Sequence, residues 1–456
     1  MKKDIAYTIN PKKRILISAI LLISNFICLM SQTMMVTALP VIQSDMNQPL
    51  TVVQWLTTGY MLLIGITTPL SSNIYEKFSN RHVFIGTIGL FIVGTCIGCV
   101  ASNFWILLTA RLIQAIATGI LMSFQMTSMV IIFPSEKRGT IMGISSLVVS
   151  FGPAIGPTLA GFILSLFGWR YLFIFILPVM TLILLIGIFC FPNFTQPRKI
   201  KIDFLSVLLS FVGFGLALSS LSFIQNSFSI SLIMFIIGIL LIIIFVKRQL
   251  KLKDPMLKVT IFKNRSFRLM TLIAILGFMV LLGTEQMVSI FCQDVSHLTS
   301  MEAGMVLLPG AVLNAIGAAI VGRLYDQIGP KALVLCGTTL MIIGTIPFMF
   351  IQSTMPVWLI TIMYAIRMIG NALVFSPVLS ESFSGLNPQD ISHATAMSNT
   401  LRQVFGSVSI TLLIVISSIP HSFVFGMRIS MWITMILTIA LLGIFIIYIH
   451  SYKYKK

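Results

Sequence analysis

The sequence predicts an all-α integral membrane protein of fourteen spans: two six-helix bundles, two extra central transmembrane helices, and both termini in the cytoplasm. Three observations lead there. Of 456 residues, 57% are hydrophobic and 9% charged, whereas soluble domains carry about 25% charged residues. A soluble fold of this length could not hide so much apolar surface. The remaining charge is sorted, with 25 of the 30 Lys and Arg falling on one side of a chain threaded back and forth through a bilayer. Finally, the pattern small-x-aliphatic-Tyr-acid-polar-x-small-x-base occurs at Ser72–Arg81 and again, 250 residues later, at Gly322–Lys331.

A span needs roughly 20 apolar residues. Candidate runs cover 15–36, 52–72, 83–101, 104–132, 139–164, 170–191, 204–224, 229–246, 268–292, 303–323, 331–351, 356–379, 394–418 and 425–449. The first follows Lys12-Lys13-Arg14 and imitates a signal peptide. It is longer than a signal h-region and many spans follow, so it reads as an uncleaved first span. The basic clusters set the division: an N-tail 1–14, a bundle 15–192, two extra helices 203–247, a cytoplasmic loop 248–267, a second bundle 268–450 and a C-tail 451–456. The repeat supports two related bundles around a central site, a known transporter plan.

The net charge of +18 sits in short clusters between apolar runs, which is a topology signal and excludes a continuous nucleic-acid face. The six cysteines lie in or beside apolar runs; Cys96-Ile-Gly-Cys99 has metal-like spacing without a zinc-site context, so no metal is expected. The five histidines are scattered, no phosphate-binding loop appears, and enzyme chemistry or ATP drive is not expected.

The run 139–164 contains Gly152-Pro153-Ala-Ile-Gly156-Pro157-Thr-Leu-Ala-Gly161. Each proline removes a backbone donor from a helix interior, and each glycine lets a neighbour approach closely. The stretch reads either as a helix built to bend and slide against a partner or as a kink with a packing role only.

With these residues the chain resembles the major facilitator superfamily, and within it the fourteen-span drug:proton antiporter family (EmrB/QacA subfamily), lincomycin-resistance-type branch. The resemblance is carried by Thr37-Ala-Leu-Pro40, Trp55-Leu-Thr-Thr-Gly59-Tyr60, Arg111-Leu-Ile-Gln114-Ala115, Pro134–Gly139, Gly152–Pro157, Trp169-Arg170, Lys201-Ile-Asp203, Asp254-Pro-Met-Leu257, Leu308-Pro-Gly310 and His393-Ala-Thr-Ala-Met397. It implies alternating access by two rocking bundles in the cytoplasmic (plasma) membrane of a bacterium. The expected substrates are lipophilic drugs or toxic compounds, exchanged for protons by a monomer driven by the proton gradient, with no cofactor. The Gly152–Gly161 segment matches the antiporter signature. The repeated loops imply a cytoplasmic gate of Gly322, Arg323, Asp326, Gly329 and Lys331, with Glu76, Lys77 and Arg81 in the first copy.

Charges inside a membrane cost about 3 kcal/mol each and are functional candidates. Arg111, Glu285, Arg367 and Arg402 stand out. The resemblance ties Arg111 to proton transfer and Arg402 to a basic or amide position of the cavity. Many relatives carry an acid in span one where this chain has Ser31 and Gln32, which cannot titrate. Glu285 is therefore the expected proton site; the alternatives are a structural partner of Arg111 or an outer-gate residue. Three arginines against one glutamate leave the interior net positive, which disfavours permanent cations as substrates and leans toward neutral, zwitterionic or anionic lipophiles. The missing span-one acid also supports a second reading, a non-coupled membrane sensor or export partner that keeps the fold.

Overall fold

In the computed structural model, residues 10–453 are described except 49, 54, 135–136, 196, 198–202, 224–226, 253–254, 256, 388–389 and 419–421. The expected basic loop at Arg198–Lys201, Asp254 and Met256 of the Asp254 motif, and residues 1–9 and 454–456 of the tails lie outside these residues.

Among the described residues, fourteen helices of 20 residues or more follow in order: α1 Pro11–Asp45, α2 Trp55–Lys77, α3 Asn80–Cys99, α4 Phe104–Ile132, α5 Arg138–Leu166, α6 Tyr171–Cys190, α7 Phe204–Phe223, α8 Phe228–Gln249, α9 Arg265–Ile290, α10 Ser300–Ile328, α11 Pro330–Met349, α12 Val357–Ser382, α13 Ile391–Ser418 and α14 Phe423–Lys453. Each overlies one apolar run. Several extend beyond it because the helix continues into its cap. Asn10 accepts the amide of Lys12 at the start of α1, with Pro11 in the first helical turn. Among the described residues eleven helices are long and apolar enough to cross a membrane; α5 and α7 contribute the shorter apolar stretches Gly139–Val148, Ile155–Leu166 and Phe204–Ala217.

The halves α1–α6 and α9–α14 repeat one packing scheme. In the first, α1 packs on α5, α2 on α4, and α3 on α4 and α6; in the second, α9 packs on α13, α10 on α12, and α11 on α12 and α14. Crosswise, α5 lies along α10 and α2 along α13. These two seams join the halves, as a twofold relation requires.

The repeat reaches individual residues. Gly94-Thr95 of α3 and Gly344-Thr345 of α11 stand at corresponding crossings. A Cβ on Gly94 would lie 2.8 Å from the Ala110 carbonyl oxygen, and one on Gly344 2.9 Å from that of Met363. Each threonine hydroxyl then accepts from the facing helix, from Gln114 Nε2 at 2.8 Å and from Arg367 Nη1 at 2.9 Å. Arg367 thus stands in the C half where Gln114 stands in the N half, and it braces α12 against α11 and, through the Val280 carbonyl at 3.3 Å, against α9.

Helices α7 and α8 form a hairpin outside both halves. Gly238 comes so close to α7 that a Cβ there would sit 2.6 Å from the Ala217 amide nitrogen. The hairpin leans on α2 and α13, with Phe214 packed among Tyr60, Ile64 and Met122, while Phe228, Ile233, Ile236 and Leu240 of α8 face outward. Its base is pinned by Asp203, which accepts from Arg248 Nε at 2.6 Å and Nη2 at 2.9 Å. The Arg248 guanidinium beside it, and secondarily the Ser206 hydroxyl, hold the Asp203 carboxyl well below the usual carboxylate range, at about 2. A depressed folded-state value contributes stability above the unfolded value of about 4 that is lost as pH falls toward 2. Asp203→Asn is expected to lower the thermal unfolding midpoint slightly at pH 7, with the difference from the parent shrinking as pH falls below 4.

Candidate functional site

At the end of the molecule that carries the Lys/Arg-rich loops, each half caps a helix of the other. Asp326, near the end of α10, accepts the Gly139 amide at 2.8 Å, the Thr140 amide at 2.9 Å and the Thr140 hydroxyl at 2.6 Å. These amides belong to the first turn of α5, where unpaired N–H groups and the helix dipole favour an anion. In the mirrored place, Glu76 near the end of α2 accepts from Ser392 Oγ at 3.2 Å and pairs with His393 Nε2 at 3.1 Å in the first turn of α13.

Close backbone approach makes this closure tight. A Cβ on Gly322 would overlap the Gly139 carbonyl, and one on Gly143 the Ala318 carbonyl. Thr127 and Thr395 share a hydrogen bond across the halves, and Asn399 Nδ2 donates to Ser123 Oγ at 3.2 Å. Gly329 ends α10 at φ +72°, a left-handed value that glycine adopts without strain.

The remaining loop residues behave differently from the expectation of a common gate. Lys77, Arg323 and Lys331 are exposed and make no ion pair across the halves among the described residues. Arg81 is spent within its own half, donating to the Ile188 carbonyl and, through its backbone amide, to Asn193 Oδ1 at 3.1 Å. It opens α3, which packs on α6 away from both seams.

The Gly-Pro segment packs within its own half. Helix α5 is continuous from Arg138 to Leu166, so Pro153 and Pro157 do not break it. Gly152 and Gly156 meet α1 of the same half, at Leu29 and Met30 and at Thr33 and Met34. Gly161 has open space around it. The contact between halves falls instead on Gly139 and Gly143.

Between the halves lies a narrow cavity. Asn25, Met122, Gln125, Met126, Ser145 and Ser146 line it from the N half, and Phe375, Leu379, Asn399 and Arg402 from the C half. In this conformation its room is about 20 Å³, enough for roughly one water. Gln125 fixes its floor, accepting from Asn25 Nδ2 at 3.1 Å and donating to Ser145 Oγ at 3.0 Å. Arg402 lies over the Phe375 ring at 5.1 Å and the Phe278 ring at 5.6 Å, and donates to Asn399 Oδ1.

Arg111 is fully buried nearer the opposite end of the N half. It lies 4.1 Å over the Tyr60 ring and donates to Ser31 Oγ at 3.2 Å and Gln114 Oε1 at 2.8 Å. Gln32 is buried on the next position of α1. Among the described residues no carboxylate pairs with Arg111, which removes Glu285 as its structural partner. Glu285 is half-buried on α9, two turns beyond Phe278 on the same helix face, and makes no hydrogen bond or ion pair among the described residues. Tyr364 of α12 is its neighbour within electrostatic reach. Counting three residues back from Gln114 and from Arg367 makes Tyr364 the C-half counterpart of Arg111. The N half therefore sets a hydroxyl beside an arginine where the C half sets a carboxylate beside a tyrosine.

His393 joins the two halves through Glu76, a contact that sequence reasoning missed. The signal was available: Glu76 echoes Asp326, and Thr140 echoes Thr395, so the Asp326–Thr140 contact predicts Glu76 beside residues just before Thr395.

Two halves related by a repeat, crossed at two seams, closed at one end and holding charged groups within apolar helices, define a multi-pass transporter. The chain belongs to the Major Facilitator Superfamily, whose family model matches residues 21–410. It is 38% identical over 460 residues to the uncharacterized MFS-type transporter YcnB of Bacillus subtilis, covering 98% of this chain and 96% of that one. It is 34% identical over 407 residues to the lincomycin resistance protein LmrB of Listeria innocua, covering 88% and 86%. A crystal structure of the human organic anion transporter MFSD10 (TETRAN) superposes with TM-score 0.70 at 14% identity, over 96% of this chain and 100% of that chain, which shows the shared fold. The protein is a membrane transporter and not an enzyme.

Removing the carboxylate from Asp326 should loosen the closed end. With the six native cysteines replaced and Ser146→Cys as reporter, Asp326→Ala is expected to speed maleimide labelling from the basic side about fivefold, the ratio given by about 1 kcal/mol of lost capping. An unchanged rate would show that the cap does not hold the closure.

Proposed function

We propose that the protein is a multidrug exporter of the bacterial cytoplasmic membrane, exchanging lipophilic drugs or toxic compounds for protons. In this reading the fourteen helices are all spans and both termini are cytoplasmic. The molecule works as a monomer, without a cofactor. The closed basic end is the cytoplasmic gate, and the central cavity opens to one side at a time as the halves rock. The drug assignment leans on the lincomycin resistance relatives and on the multidrug transporter MdtP of Bacillus subtilis, 26% identical over 412 residues.

Glu285 carries the coupling half of the proposal. It is a carboxylate on an apolar helix with no ion-pair partner among the described residues. A charged carboxylate there costs about 3 kcal/mol relative to an apolar residue, so proton binding changes the energy of whichever conformation encloses it more completely. That difference is what lets a proton gradient drive a conformational cycle. Arg111, held by Ser31 rather than an acid, is a fixed charge in this scheme. The same hydroxyl favours the second reading, a non-coupled sensor or export partner that retains the fold.

The test uses inside-out vesicles loaded with a pH dye. The parent should take up drug when energised, release protons in proportion, and stop when an uncoupler is added. Glu285→Gln should lower energised uptake about tenfold, equivalent to about 1.4 kcal/mol, and abolish drug-linked proton release. Full coupled transport by that variant would remove Glu285 from the mechanism; parent vesicles indifferent to the uncoupler would favour the sensor.

A further inference from the structure

The cavity places a guanidinium where no acid answers it. Arg402 is 5% exposed, and its Nε is buried with no hydrogen-bond partner. Asn399 takes one of its N–H groups, and the Asn399 amide is itself held by Ser123 of the opposite half. Among the described residues, none lining the cavity is Asp or Glu. Glu285, seven residues beyond Phe278 on α9, lies about 10 Å further along the axis and does not bond to Arg402.

A buried guanidinium is costly unless its donors are met. Arg402 carries five N–H donors in a planar fork, and the rings of Phe278 and Phe375 lie beside it. Aromatic contact engages the face of a guanidinium and leaves its edge for an acceptor. The edge matches a carboxylate, which can take two parallel N–H bonds. A cationic ligand would meet Arg402 with no carboxylate on the lining to offset the repulsion. The other lining groups fit an amphiphile: Met122, Met126 and Leu379 are apolar, and Asn25 Oδ1 and Ser146 Oγ are buried without partners.

We propose that Arg402 is the anchor for a carboxylate on the transported molecule, so that the substrate class is lipophilic organic anions and carboxylate-bearing zwitterions rather than cations. This rests on the export reading for its physiological meaning, while binding itself is independent of coupling. Ligand entry requires the halves to part, because the closed cavity has room for about one water. Closing then brings the carboxylate against Arg402 and the Ser146 hydroxyl, while Asn25 Oδ1 is left to accept from a donor elsewhere on the ligand.

Two dyes with one ring system and opposite charge test this: fluorescein, a carboxylate anion, and rhodamine 123, a cation. Purified protein in nanodiscs is titrated with each at pH 7 by fluorescence anisotropy. Fluorescein should bind the parent about tenfold tighter than rhodamine 123. Arg402→Gln should weaken fluorescein binding about tenfold, the scale of a lost charge-assisted bond. Arg402→Lys should keep part of it and restore the preference for the anion. Equal or tighter rhodamine 123 binding, no fluorescein binding by the parent, or unchanged fluorescein binding in a folded Arg402→Gln protein would each overturn the proposal. Arg402-dependent binding without energised fluorescein uptake in vesicles would uphold the anion site and overturn export. Energised uptake of rhodamine 123 alone, untouched by Arg402→Gln, would do the reverse.

Discussion

The arrangement depends on one helix having two bare faces. In α5, Gly139 and Gly143 are one turn apart, as are Gly152 and Gly156. From Gly143 to Gly152 is nine residues, which at about 3.6 residues per turn is two and a half turns. The second pair therefore points opposite to the first. One pair lets α10 of the other half reach the α5 backbone; the other seats α5 on α1 of its own half. A side chain in either place would force α5 away from one neighbour. The same helix is thus fixed within its bundle and lies backbone to backbone against the other.

Closure at the basic end combines backbone contact, polar bonds and apolar packing. The main chains of α5 and α10 touch directly through the bare glycines; Asp326, Glu76, Thr127 and Asn399 supply hydrogen bonds between the halves. Met129, Ile141, Leu379 and Met397 share one buried apolar cluster. The interior differs. Arg111, Arg367 and Arg402 are each held by neutral oxygens or aromatic rings, with no carboxylate paired to them among the described residues.

Much of the fold was legible because its causes are local. Twenty-residue apolar runs become helices, and the Tyr-acid pattern after α2 and α10 marks the repeat. Glu285 and the arginines were visible for a similar reason, since a charge in an apolar run stands out. The rest was hidden because it depends on which face of a helix meets which neighbour. Nothing in Gly152-Pro-Ala-Ile-Gly156 says that its partner is α1, and Arg81 reads as a gate residue until α6 is placed beside α3. His393 was overlooked because it was weighed alone; its meaning comes from Glu76, more than 300 residues earlier in the chain. Gln114 and Arg367 correspond only through the glycine-threonine crossings they share, a relation that helix packing reveals and sequence spacing does not.

The α7–α8 hairpin makes the two seams unequal. It stands behind the α2–α13 line, while the α5–α10 line has outward-facing Phe162, Leu166, Ile316 and Ile320 along it. One flank is thereby covered by protein and the other presents exposed apolar side chains. A greasy molecule diffusing within a leaflet would find these two approaches to the interior dissimilar, even though the bundles that flank them are built alike.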